Sequence, residues 1–191
     1  MNNLIRVFVI MFGFFGIAPA ISYPMQIADD SEHVDMATQR VAELTKSLMT
    51  ADKNEKNEIF NRIKIILDEN PENINVRKMY ANNLLAEGRY PEGLKNLEII
   101  NKQHLTRTDL LAECMVKERL GKKDENCYRK VIQLSEKASI VDSDYITAIF
   151  FVDEKRFSIL TERLIKEGKF KESDFLVFTL GKEKMLREFF P

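Results

Sequence analysis

The chain has 191 residues, and its 29 Lys and Arg stand against 30 Asp and Glu, a formal charge of −1. Charges this evenly mixed give neither the basic footprint of a nucleic-acid binder nor a polybasic membrane patch. With no Trp, 7 Gly and 5 Pro, the sequence also lacks the turn signals that a β-sandwich or barrel needs about every 8 to 12 residues, so an all-α fold is expected.

The first residues read as a secretory signal in three parts. Met1 to Arg6 carries one positive charge, Val7 to Ile17 is apolar and Phe-rich, and Ala18-Pro19-Ala20 places small residues where a signal peptidase reads them. The apolar run falls short of the roughly 20 residues of a membrane-spanning helix. An uncleaved anchor over Leu4 to Ile21, with Arg6 tolerated, is the alternative. No Cys stands near the end of the run, which excludes a lipid-modified N-terminus. The expected organisation is a signal peptide over 1–20, a flexible segment over 21–30 and one helical domain over 31–191, periplasmic or secreted.

Downstream of Asp30, apolar residues recur at intervals of three and four, as in Ile59, Phe60, Ile63, Ile66 and Leu67, which puts them on one side of a helix. Turn signals divide the rest into short helices at Asp52-Lys53-Asn54, Asn70-Pro71, Gly88-Arg89, Asn101 to His104, Gly121-Lys122, Ser139 to Ser143, Asp153-Glu154, Gly168-Lys169 and Gly181-Lys182. Short turns between such helices predict helical hairpins.

These turns recur with a period. From Gly88-Arg89-Tyr90, the turn Gly121-Lys122-Lys123 lies 33 residues on, Lys155-Arg156-Phe157 lies 34 further, and Asn54 lies 34 back. Seven residues before each turn, where the first helix of a hairpin meets the second, stand Ser47, Ala81, Cys114 and Ala148, all small. Second-helix core positions follow as Phe60 and Ile63, Leu94 and Leu97, Thr161 and Leu164. The stretch Ile74 to Leu105, with Ala81, Leu84, Gly88, Tyr90, Leu94 and Leu97 in small, large, turn, aromatic and apolar slots, resembles the tetratricopeptide repeat family. The resemblance implies an all-α, right-handed superhelix of about three to four helical hairpins plus a C-terminal capping helix. Arg77, Gly93, Lys117, Lys123 and Lys130 depart from the family pattern. Gly168-Lys169-Phe170, out of phase with the repeat, reads as a turn between hairpins, with Phe170 to Leu180 opening a half repeat and Lys182 to Phe190 forming the cap.

In that repeat frame Cys114 and Cys127, 13 residues apart, approach across one hairpin. An oxidising compartment favours a disulfide there, and two free buried thiols are the alternative. Chemistry is otherwise sparse. His33 and His104 have no Cys or carboxylate at a ligand spacing, and the G-x-S-x-G, Walker-type and dinucleotide signatures are absent. No catalytic, cofactor-binding or metal-binding residue is assigned, and the chain is expected not to be an enzyme.

The family resemblance places partners in a concave groove lined by the first helices. Carried over residue by residue, that groove comprises Leu44, Leu48, Lys78, Asn82, Leu85, Leu111, Met115, Tyr145, Ile149 and Val152. It is mostly apolar and suits an amphipathic helix or extended peptide. Lys78 and Asn82 match half of a carboxylate clamp whose other half Leu111 and Ala112 do not supply. Self-burial under Ile21 to Val34, or under Leu186, Phe189 and Phe190, competes with partner binding. The expected function is a non-catalytic scaffold or chaperone-like adaptor in the bacterial cell envelope, with a protein or peptide partner. The alternative is a membrane-tethered structural subunit of an envelope assembly, its N-terminal helix uncleaved and its groove self-filled.

Overall fold

The computed structural model describes residues Asp35 to Pro191. The expected signal peptide, its cleavage site, the segment 21–30 and His33 lie outside the described residues. Among these residues the secondary structure is helical and no strand occurs. The elements are α1 (Met36–Leu48), α2 (Lys53–Glu69), α3 (Ile74–Ala86), α4 (Tyr90–Gln103), α5 (Arg107–Arg119), α6 (Glu125–Lys137), α7 (Ser143–Val152), α8 (Glu154–Lys166), a 3-10 segment (Glu172–Leu180) and α9 (Lys182–Phe189).

Helix starts are fixed by short polar side chains that satisfy otherwise orphaned backbone N–H groups. Asp35, Asp52, Asn73, Thr106, Asp124, Asp142 and Asp153 all accept such bonds. Asp52 and Glu55 cap each other reciprocally at α2. α4 starts without a side-chain cap and relies on Pro91, which is preorganised for the first turn and needs no N–H partner. The ends of α3 and α5 share one device: Arg89 N–H donates to Leu84 O and Lys122 N–H to Lys117 O, both at 2.8 Å, across a residue of positive φ. Those residues are Gly88 at 73° and Gly121 at 76°, where a side chain would be strained. The same closure recurs between hairpins at Ser139 and Gly168.

The helices pack as consecutive hairpins, α1 on α2, α3 on α4, α5 on α6 and α7 on α8, each joined to the next through its second helix. First helices also meet directly, α1 with α3 and α5 with α7, while α9 turns back onto α5. Polar contacts tie neighbouring first helices near their N-terminal ends. Asn73 donates to Asp35 at 2.9 Å, Lys78 pairs with Asp109 at 2.7 Å, Arg107 with Asp142 at 2.7 Å, and the Thr108 hydroxyl donates to Asp144 at 2.6 Å.

The apolar interior is divided into three clusters. The first joins Val41, Leu44, Ile63 and Phe60 to Val76, Tyr80 and Leu84. A second joins Ala81, Leu85, Leu94, Leu97 and Ile100 to Val116. The third runs from Leu110 and Cys114 through Tyr128, Ile149 and Leu164 to Met185 and Leu186, with Tyr128 and Phe151 stacked at 4.7 Å.

Of the four small positions, Ala81, Cys114 and Ala148 are fully buried, but Ser47 is exposed. Ala81 and Cys114 lie five residues before the ends of α3 and α5, whereas Ser47 is one residue before the end of α1. The first hairpin is therefore displaced by about one helical turn. Ser47 instead lines an open cleft of about 380 Å³ between α1 and α2, with Arg40, Leu44, Arg62 and Ile66. Two boundaries also differ from expectation. α4 continues to Gln103, past the turn expected from Asn101, and within Phe170 to Leu180, where a half repeat was expected to open, Glu172–Leu180 forms a 3-10 segment with no fully buried residue. Residues three apart align in a 3-10 turn, and this brings Phe175 and Phe178 together at 6.3 Å; Phe178 reaches Phe150 and Phe157 at 5.0 and 4.9 Å.

Candidate protein-interaction face

Seven of the ten expected groove residues are buried, namely Leu44, Leu48, Leu85, Leu111, Met115, Tyr145 and Ile149, each at most 7% exposed. Lys78 and Val152 are half-buried, and Asn82 is exposed. The seven are divided among the three clusters: Leu44 and Leu48 in the first, Leu85 in the second, and Leu111, Met115, Tyr145 and Ile149 in the third. These seven positions are thus covered, in the manner of the self-burial that stood beside an open groove as an expectation. Sequence periodicity marks which side of a helix is apolar but carries no information on what covers it.

Part of the cover is the end of the chain itself. α9 packs on α5, and its Met185 and Leu186, 1% and 5% exposed, enter the same cluster as Leu111, Met115, Tyr145 and Ile149. Beyond α9, Phe190 packs against both the third and the second clusters. Its ring meets Tyr90 edge-on at 6.3 Å. Arg119 donates from Nε to Phe190 O at 3.1 Å and lies over the Tyr90 ring at 5.1 Å, while the Tyr90 hydroxyl donates to Pro191 O. At the other end Lys182 pairs with Glu154 at 3.1 Å. We refer to 182–191 as the strap. Leu186, Phe189 and Phe190 were candidate groove fillers in the sequence. Nothing marked Arg119, because a lone Arg near a helix end is normally a solvated residue.

Charged side chains of α3, α5 and α7 pair across the first-helix row. Lys78, the supposed half-clamp, is held by Asp109, so its charge is already compensated. Arg107 donates to both Asp142 oxygens, at 3.1 and 2.7 Å, and to Ser135. Burial pushes the Asp142 carboxyl up, but hydrogen bonds from Arg107 and from the Tyr145 N–H outweigh it and hold the group below its ordinary value of 3.8. Neighbouring Asp144 is raised, chiefly by burial and further by the Asp142 charge, against the opposing Thr108 bond. Arg77, Lys117 and Lys123, which break the repeat pattern, find partners in Asn96, Glu113 and Glu125.

Cys114 and Cys127 form a disulfide that joins α5 to α6 inside the third cluster. Among the described residues no helix is long and apolar enough to cross a membrane, and no cluster of His, Cys, Asp and Glu is placed to hold a metal ion. Comparison with protein-family models, with curated proteins and with solved structures gave no match in any of the three.

Proposed function

We propose that the chain is a non-catalytic scaffold or chaperone-like adaptor of the tetratricopeptide-repeat kind, exported to the bacterial periplasm, whose first-helix row binds a protein segment. The observation that carries the reading is the strap, an amphipathic helix seated on α5 over apolar first-helix side chains. A surface that buries Met185 and Leu186 in this way has the chemistry for a helix-in-groove partner. The hairpin succession and the 33- and 34-residue turn spacings support the repeat assignment, and the charged start, apolar run and Ala18-Pro19-Ala20 support export. The Cys114–Cys127 bond is in keeping with an oxidising compartment.

A photo-reactive amino acid at exposed Asn82 on α3 tests the binding face in cells, with exposed Lys95 on α4 as the control. A discrete adduct from position 82 that is absent from position 95 supports the reading; identical patterns from both sides count against it. N-terminal sequencing of the mature protein tests export, with Ile21 as the expected first residue. A second reading is favoured by the same strap. Because the face is partly self-covered, the chain is alternatively a structural subunit of an envelope assembly, tethered by an uncleaved N-terminal helix. Retention of Met1 to Ala20 in the mature protein selects that alternative.

A further inference from the structure

We infer that the strap is a displaceable internal ligand, and that its seat on α5, Tyr90 and Arg119 accepts in its place an amphipathic helix from a partner protein. The matching helix presents apolar residues at the spacing of Met185, Leu186, Phe189 and Phe190. The inference rests on the reading of the first-helix row as a binding face and names its ligand and its regulation.

The strap is held weakly in several respects. α9 has eight residues, below the roughly 12 to 15 at which an isolated helix becomes even marginal in water, so its helicity depends on the seat. It is tied to the body through the 3-10 segment Glu172–Leu180, which has no fully buried residue and leaves Leu176 62% exposed. Its rings pack on the third cluster, but with no residue fully buried such a segment opens at lower cost than a core helix. Of its apolar side chains, Met185 and Leu186 are deeply buried, whereas Phe189 and Phe190 are half-buried.

The seat also reads features that another chain would share. Arg119 and Tyr90 donate to main-chain oxygens of Phe190 and Pro191, not to side chains peculiar to this segment. An edge-on aromatic at Tyr90 and a two-residue apolar plug that enters the third cluster beside α5 complete the recognition. A helix that carries apolar residues at i, i+1 and i+4 and ends there, with an aromatic at i+5, presents those groups on one side and leaves its last carbonyls free to accept. Because the resident segment is covalently attached, it competes at high effective concentration. A partner therefore sees only the fraction of molecules with the strap released, and its apparent affinity falls by that fraction.

The test uses the full chain and a fluorescent peptide with the sequence of Lys182 to Pro191. Peptide affinity is measured by anisotropy for the unmodified chain, for Phe190→Ala, and for Phe190→Ala combined with Tyr90→Phe. Loosening the strap should raise affinity about tenfold, and removing the Tyr90 hydroxyl should reverse much of that gain. Hydrogen exchange on the unmodified chain gives an arm independent of variant folding, in which excess peptide should speed exchange at Met185 to Phe189 amides and leave those of α3 unchanged. Unchanged exchange at α9 under excess peptide would falsify the inference. A concentration-dependent dimer of the unmodified chain without peptide binding assigns the seat to a second copy and overturns it too. If peptide does not exchange while the adduct at position 82 remains specific, the strap is a permanent cap and the scaffold reading stands without it.

Discussion

The hairpins α3–α4 and α5–α6 solve the same problem by opposite means. At the crossing in the first, Ala81 faces a second helix that carries Gly93, and a β-carbon added at Gly93 would lie 2.5 Å from Leu85 Cδ2 and 2.8 Å from its Cγ. Close approach is achieved there by leaving a side chain out. At the corresponding crossing in the second, Cys114 and Cys127 fill the gap and bond covalently. The difference lies at the crossing itself and not in the extent of the apolar faces: α3–α4 buries Val76, Tyr80, Leu84, Leu85, Leu94, Leu97 and Ile100 around Ala81, and α5–α6 buries Leu110, Leu111, Met115, Val116, Tyr128, Val131 and Ile132 around the cysteines. A side chain left out gives only close packing, whereas the cross-link also restricts the unfolded state.

Removing that cross-link should have the largest effect. Cys114→Ala with Cys127→Ala is expected to lose about 3 kcal/mol for a loop of this length, read as a lower denaturant midpoint against the oxidised parent. Gly93→Ala comes next. The clash with Leu85 costs roughly 1 to 3 kcal/mol, and the better helix propensity of Ala returns up to about 1, so net destabilisation is expected. The same change in a Leu85→Ala background should be neutral or stabilising, and a double-mutant cycle reads the coupling.

The comparison extends to how each hairpin grips its successor, Lys78 on Asp109 and Arg107 on Asp142. Asp142→Asn keeps a cap for the Tyr145 N–H while removing the charge that Arg107 faces. About 1 kcal/mol should be lost at pH 7, at the upper end for a partly exposed pair. Since Asp142 is held below 3.8 in the folded chain, its stabilisation is present above that value and is lost as pH falls through the folded pKa. The difference between parent and variant should therefore shrink in acid melts. The smallest effect is expected at the exposed small position, where Ser47→Ala should stay within about 0.5 kcal/mol. Ala81→Ser buries a hydroxyl at the equivalent repeat position and should cost about 1 to 3 kcal/mol if it finds no partner.

Much of this organisation was legible in the sequence because it resides in local chemistry. Gly88, Gly121, Gly168 and Gly181 mark bends, since each adopts the positive φ that other residues avoid. Asn70-Pro71 and Asp153 mark two more. The approach of Cys114 and Cys127 was expected in the repeat frame, which left a disulfide and two free thiols open, and the structure holds the disulfide. What was not legible depends on partners distant in sequence. Ser47 fits the period, yet the earlier end of α1 places it in the open cleft. Phe170 to Leu180 was expected to open a half repeat, but the ring cluster with Phe150 and Phe157 accommodates Glu172 to Leu180 as a tighter 3-10 turn. Periodicity put the apolar groove residues on one side of their helices and left open whether a partner or Leu186, Phe189 and Phe190 cover them; their burial against neighbouring helices depends on contacts distant in sequence.

The partition of the apolar interior has a further consequence. α3 gives Val76, Tyr80 and Leu84 to one cluster and Ala81 and Leu85 to the next, and α5 gives Val116 to the second and Leu110, Leu111, Cys114 and Met115 to the third. These two helices are shared walls between compartments, while α1, α2, α7 and α8 each serve a single compartment. Damage in such an arrangement spreads by nearest neighbours. Limited proteolysis should accordingly pare the chain from its outer helices inward and leave a resistant fragment centred on α3 to α5.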